Sequence, residues 1–169
     1  MSRSRSGRKL SGITSRKSVQ RKYQLAALAL LMCLAIPAAA QVDLKVHPAP
    51  DFGAGVVWLD EGAATPHHIS DYKGKVVLID FWEYTCINCI RDFGVVKRWY
   101  TKYHQYGFEV IGVHYGEFEI GFDVNNVREG AQRYKLPWPV VADQKGTTWQ
   151  AYQADGWPER YLIDPQGQI

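Results

Sequence analysis

Two cysteines three positions apart, Cys86 and Cys89, stand where one hydrophobic rhythm gives way to another. Before them, Val76-Val77-Leu78-Ile79-Asp80-Phe81-Trp82 is a nearly unbroken apolar run launched by Gly74-Lys75, the pattern of a strand covered on both faces. After them, Ile90, Phe93, Val96, Tyr100 and Tyr103 recur at steps of three and four, one face of a helix that Gly107 ends. A strand–CxxC–helix unit puts the first cysteine at a helix N-terminus, where free backbone N–H groups and the helix dipole favour an anion. The thiolate is the nucleophile of disulfide exchange. Cys89, one turn further along, is placed to attack a mixed disulfide at Cys86 and release the reduced substrate. The competing reading is half of a zinc site, but zinc normally takes four ligands, and no second CxxC or paired CxH follows. A staple is also a poor explanation, because a bridge that short closes almost no loop and constrains the unfolded chain weakly.

The rest of the chain supplies a frame for this unit. Val56–Leu59 reads as a short strand, Glu109–His114 as a second buried strand, and Val140–Ala142 as another short one. Val124, Val127, Ala131 and Tyr134 mark a helix with Asp123 as its N-cap. Thr147–Tyr152 reads as a helical turn or two, and Arg160–Asp164 as a strand turned by Pro165-Gln166-Gly167 into a hairpin. Strands alternating with helices predict an α/β domain around a central sheet. His67-His68, in a polar turn through Gly62 and Pro66, reads as a solvated loop, with a metal site as the alternative.

Charge is divided along the chain. Residues 1–40 hold eight Lys and Arg and no acid, leaving 12 basic against 17 acidic side chains in 41–169. A body with a net charge of −5 lacks the electrostatic footprint of a nucleic-acid binder. The basic stretch is followed by an apolar run, Leu25–Ala40, ending in Ala38-x-Ala40. These are the parts of a secretory signal peptide, with cleavage expected before Gln41. An uncleaved signal anchor is the alternative, although the run is shorter than the ~20 residues a membrane-spanning helix needs. Cys33 lies inside the run, preceded by Leu30-Leu31-Met32 rather than the small residues of a lipidation site. Residues 41–55 read as an extended segment leading into a domain over 41–169.

The string Val77-Leu78-Ile79-Asp80-Phe81-Trp82-Glu83-Tyr84-Thr85-Cys86-Ile87-Asn88-Cys89-Ile90-Arg91 resembles the active-site segment of the thioredoxin superfamily. Within that superfamily it looks like the branch of TlpA-like proteins and the soluble domain of DipZ-type membrane reductases. The resemblance continues through Gly112–Glu119, Pro139–Asp143 and Trp157–Gly167. It implies a thioredoxin-like fold, a central mixed sheet flanked by helices, and a periplasmic or otherwise exported thiol–disulfide oxidoreductase. Such a protein acts on protein disulfide substrates, as a reductant fed by a membrane electron-donor partner, and needs neither cofactor nor metal. Relatives continue past the LIDPxGxI hairpin with a further strand and helix, so the resemblance implies a fold truncated before those elements.

The resemblance also assigns residues. Asp80, six positions before Cys86, matches the family's buried carboxylate, expected to have a raised pKa and to take the proton of Cys89. Pro158 matches the cis-proline that faces the CxxC motif, which makes the Trp157 backbone the expected partner of an extended substrate segment. Trp82 matches the family's tryptophan upstream of the motif, although core packing explains it equally well. Glu117 and Glu119 read as solvated loop carboxylates, with an acidic role beside the cysteines as the alternative. Three positions depart from the family pattern: Gly94 and Gly116 stand where proline is common, and Glu83 replaces a smaller residue. Two other functions fit the chain less well. A thiol peroxidase of the peroxiredoxin kind needs a threonine three residues before the reactive cysteine, where this chain has Glu83. A copper-handling protein typically uses CxxxC and a distant histidine; His114 is available, but the cysteine spacing differs.

Overall fold

The switch of period at the cysteines is a switch from strand to helix. A computed structural model describes residues 46–59 and 68–169, all within the unit Lys45–Ile169. The expected leader over residues 1–40 with Cys33, the turn through Gly62 and Pro66, and His67 lie outside the described residues. Five strands form one mixed sheet: β1 (Val57–Trp58), β2 (Val76–Trp82), β3 (Phe108–His114), β4 (Val140–Ala142) and β5 (Glu159–Ile163). Their order is β1-β4-β3-β2-β5. β2, β3 and β4 run parallel, while β1 and β5 pair antiparallel at the two edges. The helices are α1 (Ile87–Tyr103), α2 (Val124–Arg133) and α3 (Thr147–Ala151).

The apolar run of β2 is explained by burial on both faces. Successive side chains alternate across a strand. Val77, Ile79 and Phe81 therefore pack with Ile111, Val113, Val141, Tyr152 and Ile163 on one side. Leu78 and Trp82 pack on the other side with Cys89, Phe93 and Val96 of α1 and Val127 of α2. Each such large apolar side chain contributes roughly 1.5–3 kcal/mol when fully buried. Asp80 occupies the one position of this second face where the run places a carboxylate instead.

Local chemistry sets the helix ends. Cys86 is the N-cap of α1, its sulfur accepting the Cys89 N–H at 3.2 Å. Gly94 leaves α1 uninterrupted, and the turn His104–Tyr106 follows before Gly107, at φ 87°, ends the segment. Tyr103, expected on the buried face, is 41% exposed, because the last turn of α1 runs beyond the packed cluster. Asp123 caps α2 as expected, Oδ1 accepting the Asn125 N–H at 2.8 Å. His68 is exposed, as expected of a solvated loop, and its Nδ1 lies 2.8 Å from Asp51 Oδ2, where it opens the short helical turn Ile69–Tyr72. The hairpin after β5 closes through Asp164 N–H to the Gln168 carbonyl, and its return arm pairs with the leading segment through Pro48 and Gln168.

Helix α2 reaches the cysteine loop at Gly130. A Cβ at Gly130 would stand 2.7 Å from the Tyr84 Cβ, so glycine lets the helix lie against the residues just before Cys86. Gly130→Ala should therefore cost about 1–3 kcal/mol through overpacking, where an open helical site would gain up to about 1 kcal/mol. Urea denaturation followed by tryptophan fluorescence measures the sign, and a stabilised variant would refute the close contact.

Candidate active site

The two cysteines differ in access because the helix that begins between them also buries the second. Cys86 is half-buried at the cap and Cys89 is fully buried one turn later, both as free thiols. Their sulfurs are 2.6 Å apart. Burial and the contact with Cys86 push the Cys89 thiol well above its ordinary value, so it holds its proton until a base removes it. Cys86 is the more accessible of the two sulfurs.

The other sequence-predicted residues converge here from separate elements. The Trp157–Pro158 peptide is cis, and the Trp157 carbonyl lies 3.7 Å from the Cys86 sulfur. The Trp157 ring packs against Trp149 with centroids 4.6 Å apart, and in a stacked arrangement on Tyr115 at 6.2 Å. An aromatic wall thus stands behind the loop that faces Cys86. Asp80 is 1% exposed and shares its sheet face with Leu78 and Trp82, beneath α1. Burial pushes its carboxyl up to about 6, while Arg160 beside it pulls in the opposite direction.

Glu117 and Glu119 are both exposed, on the loop after β3. That loop folds tightly on itself, because a Cβ at Gly116 would lie 2.9 Å from the Gly121 Cα. The close approach explains why proline, which carries a Cβ, is absent at 116.

The acid that the structure does bring to the cysteine loop is Glu83, which the sequence shows only as a departure from pattern. Its side chain is 1% exposed. One oxygen accepts the Thr85 N–H at 2.6 Å and the Thr85 hydroxyl at 2.5 Å, while its backbone carbonyl accepts the Cys86 N–H at 3.2 Å. The other oxygen lies 3.8 Å from His114 Nε2. Burial pushes the Glu83 carboxyl up, but His114 and the two Thr85 donors outweigh it and hold the group below its ordinary value. His114, also 1% exposed, is pushed down by burial; its Nε2 accepts the Tyr84 N–H at 3.4 Å, and its ring stacks on Tyr84. The available signal was an acid two residues before a hydroxyl, on a loop leaving a buried strand. Among the described residues no group of three or more His, Cys, Asp or Glu is placed to hold a metal ion.

A cis-proline loop facing a helix-capping CxxC, over a buried carboxylate, is a combination that can be compared with known proteins. Residues 46–169 match the AhpC/TSA family. The chain belongs to the AhpC/TSA family. Within it, the chain is 40% identical over 131 residues to Protein DipZ of Mycobacterium bovis, covering 78% of this chain and 19% of that protein. It is 31% identical over 121 residues to the thiol-disulfide oxidoreductase ResA of Geobacillus thermodenitrificans, covering 72% of this chain and 64% of that one. A solved thiol:disulfide interchange protein from Bacteroides sp. superposes with a TM-score of 0.58 at 27% identity, over 72% of this chain and 76% of the other. The chain therefore spans about a fifth of the DipZ relatives it matches. These likenesses make this AhpC/TSA member a thioredoxin-like domain, with named thiol–disulfide oxidoreductases among its relatives.

Asp80 gives this AhpC/TSA domain a testable pH signature. A carboxyl whose folded pKa exceeds its unfolded one binds its proton more tightly when folded, so its contribution is most favourable below the unfolded value and falls as pH rises through the folded one. With a folded value of about 6, the stability of the wild type relative to Asp80→Asn should fall by roughly 3 kcal/mol between about pH 4 and pH 7. Urea unfolding across that range measures it, and a difference that stays flat would contradict the placement of Asp80.

Proposed function

We propose that this domain exchanges disulfides with protein substrates through Cys86 and Cys89, working as a reductant in an exported setting. The observation that carries the reading is the pairing of a reachable Cys86, at the cap of α1, with a fully buried Cys89 whose sulfur lies 2.6 Å away. Cys86, as a thiolate, attacks one sulfur of a substrate disulfide; a Cys86–substrate bond forms and the other substrate sulfur leaves as a thiolate. Cys89 then gives its proton to Asp80 and attacks the Cys86 sulfur. The mixed disulfide breaks, the substrate leaves with both sulfurs reduced, and the Cys86–Cys89 disulfide carries away the two-electron oxidation. A donor dithiol must then reduce that disulfide, and a membrane electron-donor partner fills this place. In this scheme the Trp157 carbonyl and the loop at Pro158 line the path of the substrate chain beside Cys86, in the manner of strand addition.

Several observations support the finer points. The reductive direction rests on the resemblance to DipZ-type reductases, and the substrate class on relatives named for thiol–disulfide exchange. Export rests on the basic stretch and the apolar run of residues 1–40, with an uncleaved anchor as the other form of the same leader. No helix among the described residues is long and apolar enough to cross a membrane. A peroxidase reading gains nothing from the site, since Glu83 stands three residues before Cys86 and its carboxylate is engaged by Thr85.

The division of labour between the cysteines is open to a trapping experiment. With a disulfide-containing protein substrate, Cys89→Ser should accumulate the mixed disulfide, seen as a reducible adduct on a non-reducing gel. Cys86→Ser should trap little or none. Equal trapping by both variants, or trapping by Cys86→Ser alone, would reverse or remove the assigned roles.

A further inference from the structure

Asp80 and Arg160 lie directly opposite each other in the antiparallel pairing of β2 with β5, so their side chains emerge on the same face of the sheet. Arg160 Nε donates to Asp80 Oδ1 at 2.8 Å, and Arg160 Nη1 donates to Asp92 Oδ2 at 3.1 Å. Asp92 sits on α1 three residues after Cys89, so one guanidinium joins the buried carboxylate of the sheet to the helix that carries the cysteines. The usual fork-to-fork arrangement of arginine and carboxylate engages both carboxylate oxygens. Here only one is engaged. Asp80 Oδ2 is buried with no hydrogen-bond partner among the described residues, and Arg160 Nη2 is in the same condition.

The charges around Asp80 can be named element by element. β5 supplies Arg160, and α1 supplies Asp92 and the Cys89 thiol. β3 places Gly112 opposite Asp80, and His114, two residues along the same face, is pushed toward its neutral form by burial. Arg160 is the single cation among them. Without it burial and Asp92 would push the carboxyl further toward its protonated form, which is far too weak a base to accept a thiol proton.

We propose that Arg160 is a positioning residue for the second half of the exchange: it holds Asp80 ionised through one oxygen and leaves the other open to receive the Cys89 proton. The proposal rests on the reading of Asp80 as proton acceptor given above. The step balances within the site. The proton of Cys89 passes to Asp80 Oδ2, the Cys89–Cys86 bond forms, the Cys86–substrate bond breaks, and the substrate sulfur leaves as a thiolate. The contact with Asp92 keeps the guanidinium aligned with α1 rather than turned to solvent.

The test uses the reduced full chain and a symmetrical aryl disulfide that releases one coloured thiolate when Cys86 attacks and a second when Cys89 resolves the adduct. Stopped-flow absorbance separates the two phases. Arg160→Met should leave the first phase within about twofold, which also shows that the variant is folded, and slow the second by about tenfold near neutral pH. The pH midpoint of the second phase should move upward, and Arg160→Lys should recover part of the loss. In an Asp80→Asn background, Arg160→Met should slow the second phase no further. Equal slowing of both phases, or the same second-phase loss in both backgrounds, overturns the role of Arg160 while leaving Asp80 as the base. A second phase that Asp80→Asn leaves unchanged overturns the reading of Asp80 and the proposal with it.

Discussion

The pairing of Asp80 with Arg160 lets an otherwise apolar sheet face carry a titratable group under the cysteine helix. A buried carboxylate without a partner would be protonated or would cost the fold several kcal/mol. Placing arginine opposite it on the edge strand moderates that cost without abolishing the upward push of burial, so the group sits at about 6 instead of its ordinary value near 4. A base in that position is available close to neutral pH. For the proposed role of Asp80 as proton acceptor, an acid fully satisfied by a bidentate arginine would be too weakly basic, and one with no arginine would be held in its protonated form.

Around this pair, the cysteines are set by two competing demands on one stretch of chain. The helix must start at Cys86 to direct N–H groups at its sulfur, and it must sink Cys89 into the core one turn later. The loop between β2 and α1 meets both demands by being locked from below. Glu83 ties down Thr85, His114 accepts from Tyr84, and Gly130 lets α2 close on the same residues. These contacts set Cys86 against the Trp157 carbonyl, the preorganisation that the proposed attack on a substrate disulfide needs. The packed rings of Trp149, Trp157 and Tyr115 support the opposite wall.

Much of this was legible in the sequence, for reasons of locality. β2, α1 and α2 announce themselves because each buries a continuous stripe, and Asp123 because a cap acts within two residues. Asp80 and Pro158 came from resemblance to a known motif rather than from patterning. What stayed hidden depends on register between distant strands. Arg160 becomes a partner of Asp80 only once β5 is paired to β2 across 80 residues of chain. Glu83 meets His114 only because Trp82 and His114 are aligned in the parallel ladder. Tyr103 is exposed despite its place in the apolar period, since periodicity shows which face is apolar, not how far along the helix the packing extends. Gly116 looked like a substitution for proline, and its contact with Gly121 across the loop is invisible to spacing.

The most direct test of this account is the carboxyl titration of Asp80 in the reduced protein, followed through the 13C shift of its side-chain carbon by NMR. Because burial outweighs Arg160, the inflection should lie at about 6, above the ordinary value. A midpoint at or below about 4 would show an arginine-dominated, permanently ionised carboxylate. Such a group is too weak a base to take a proton from Cys89, and the mechanism would need another acceptor.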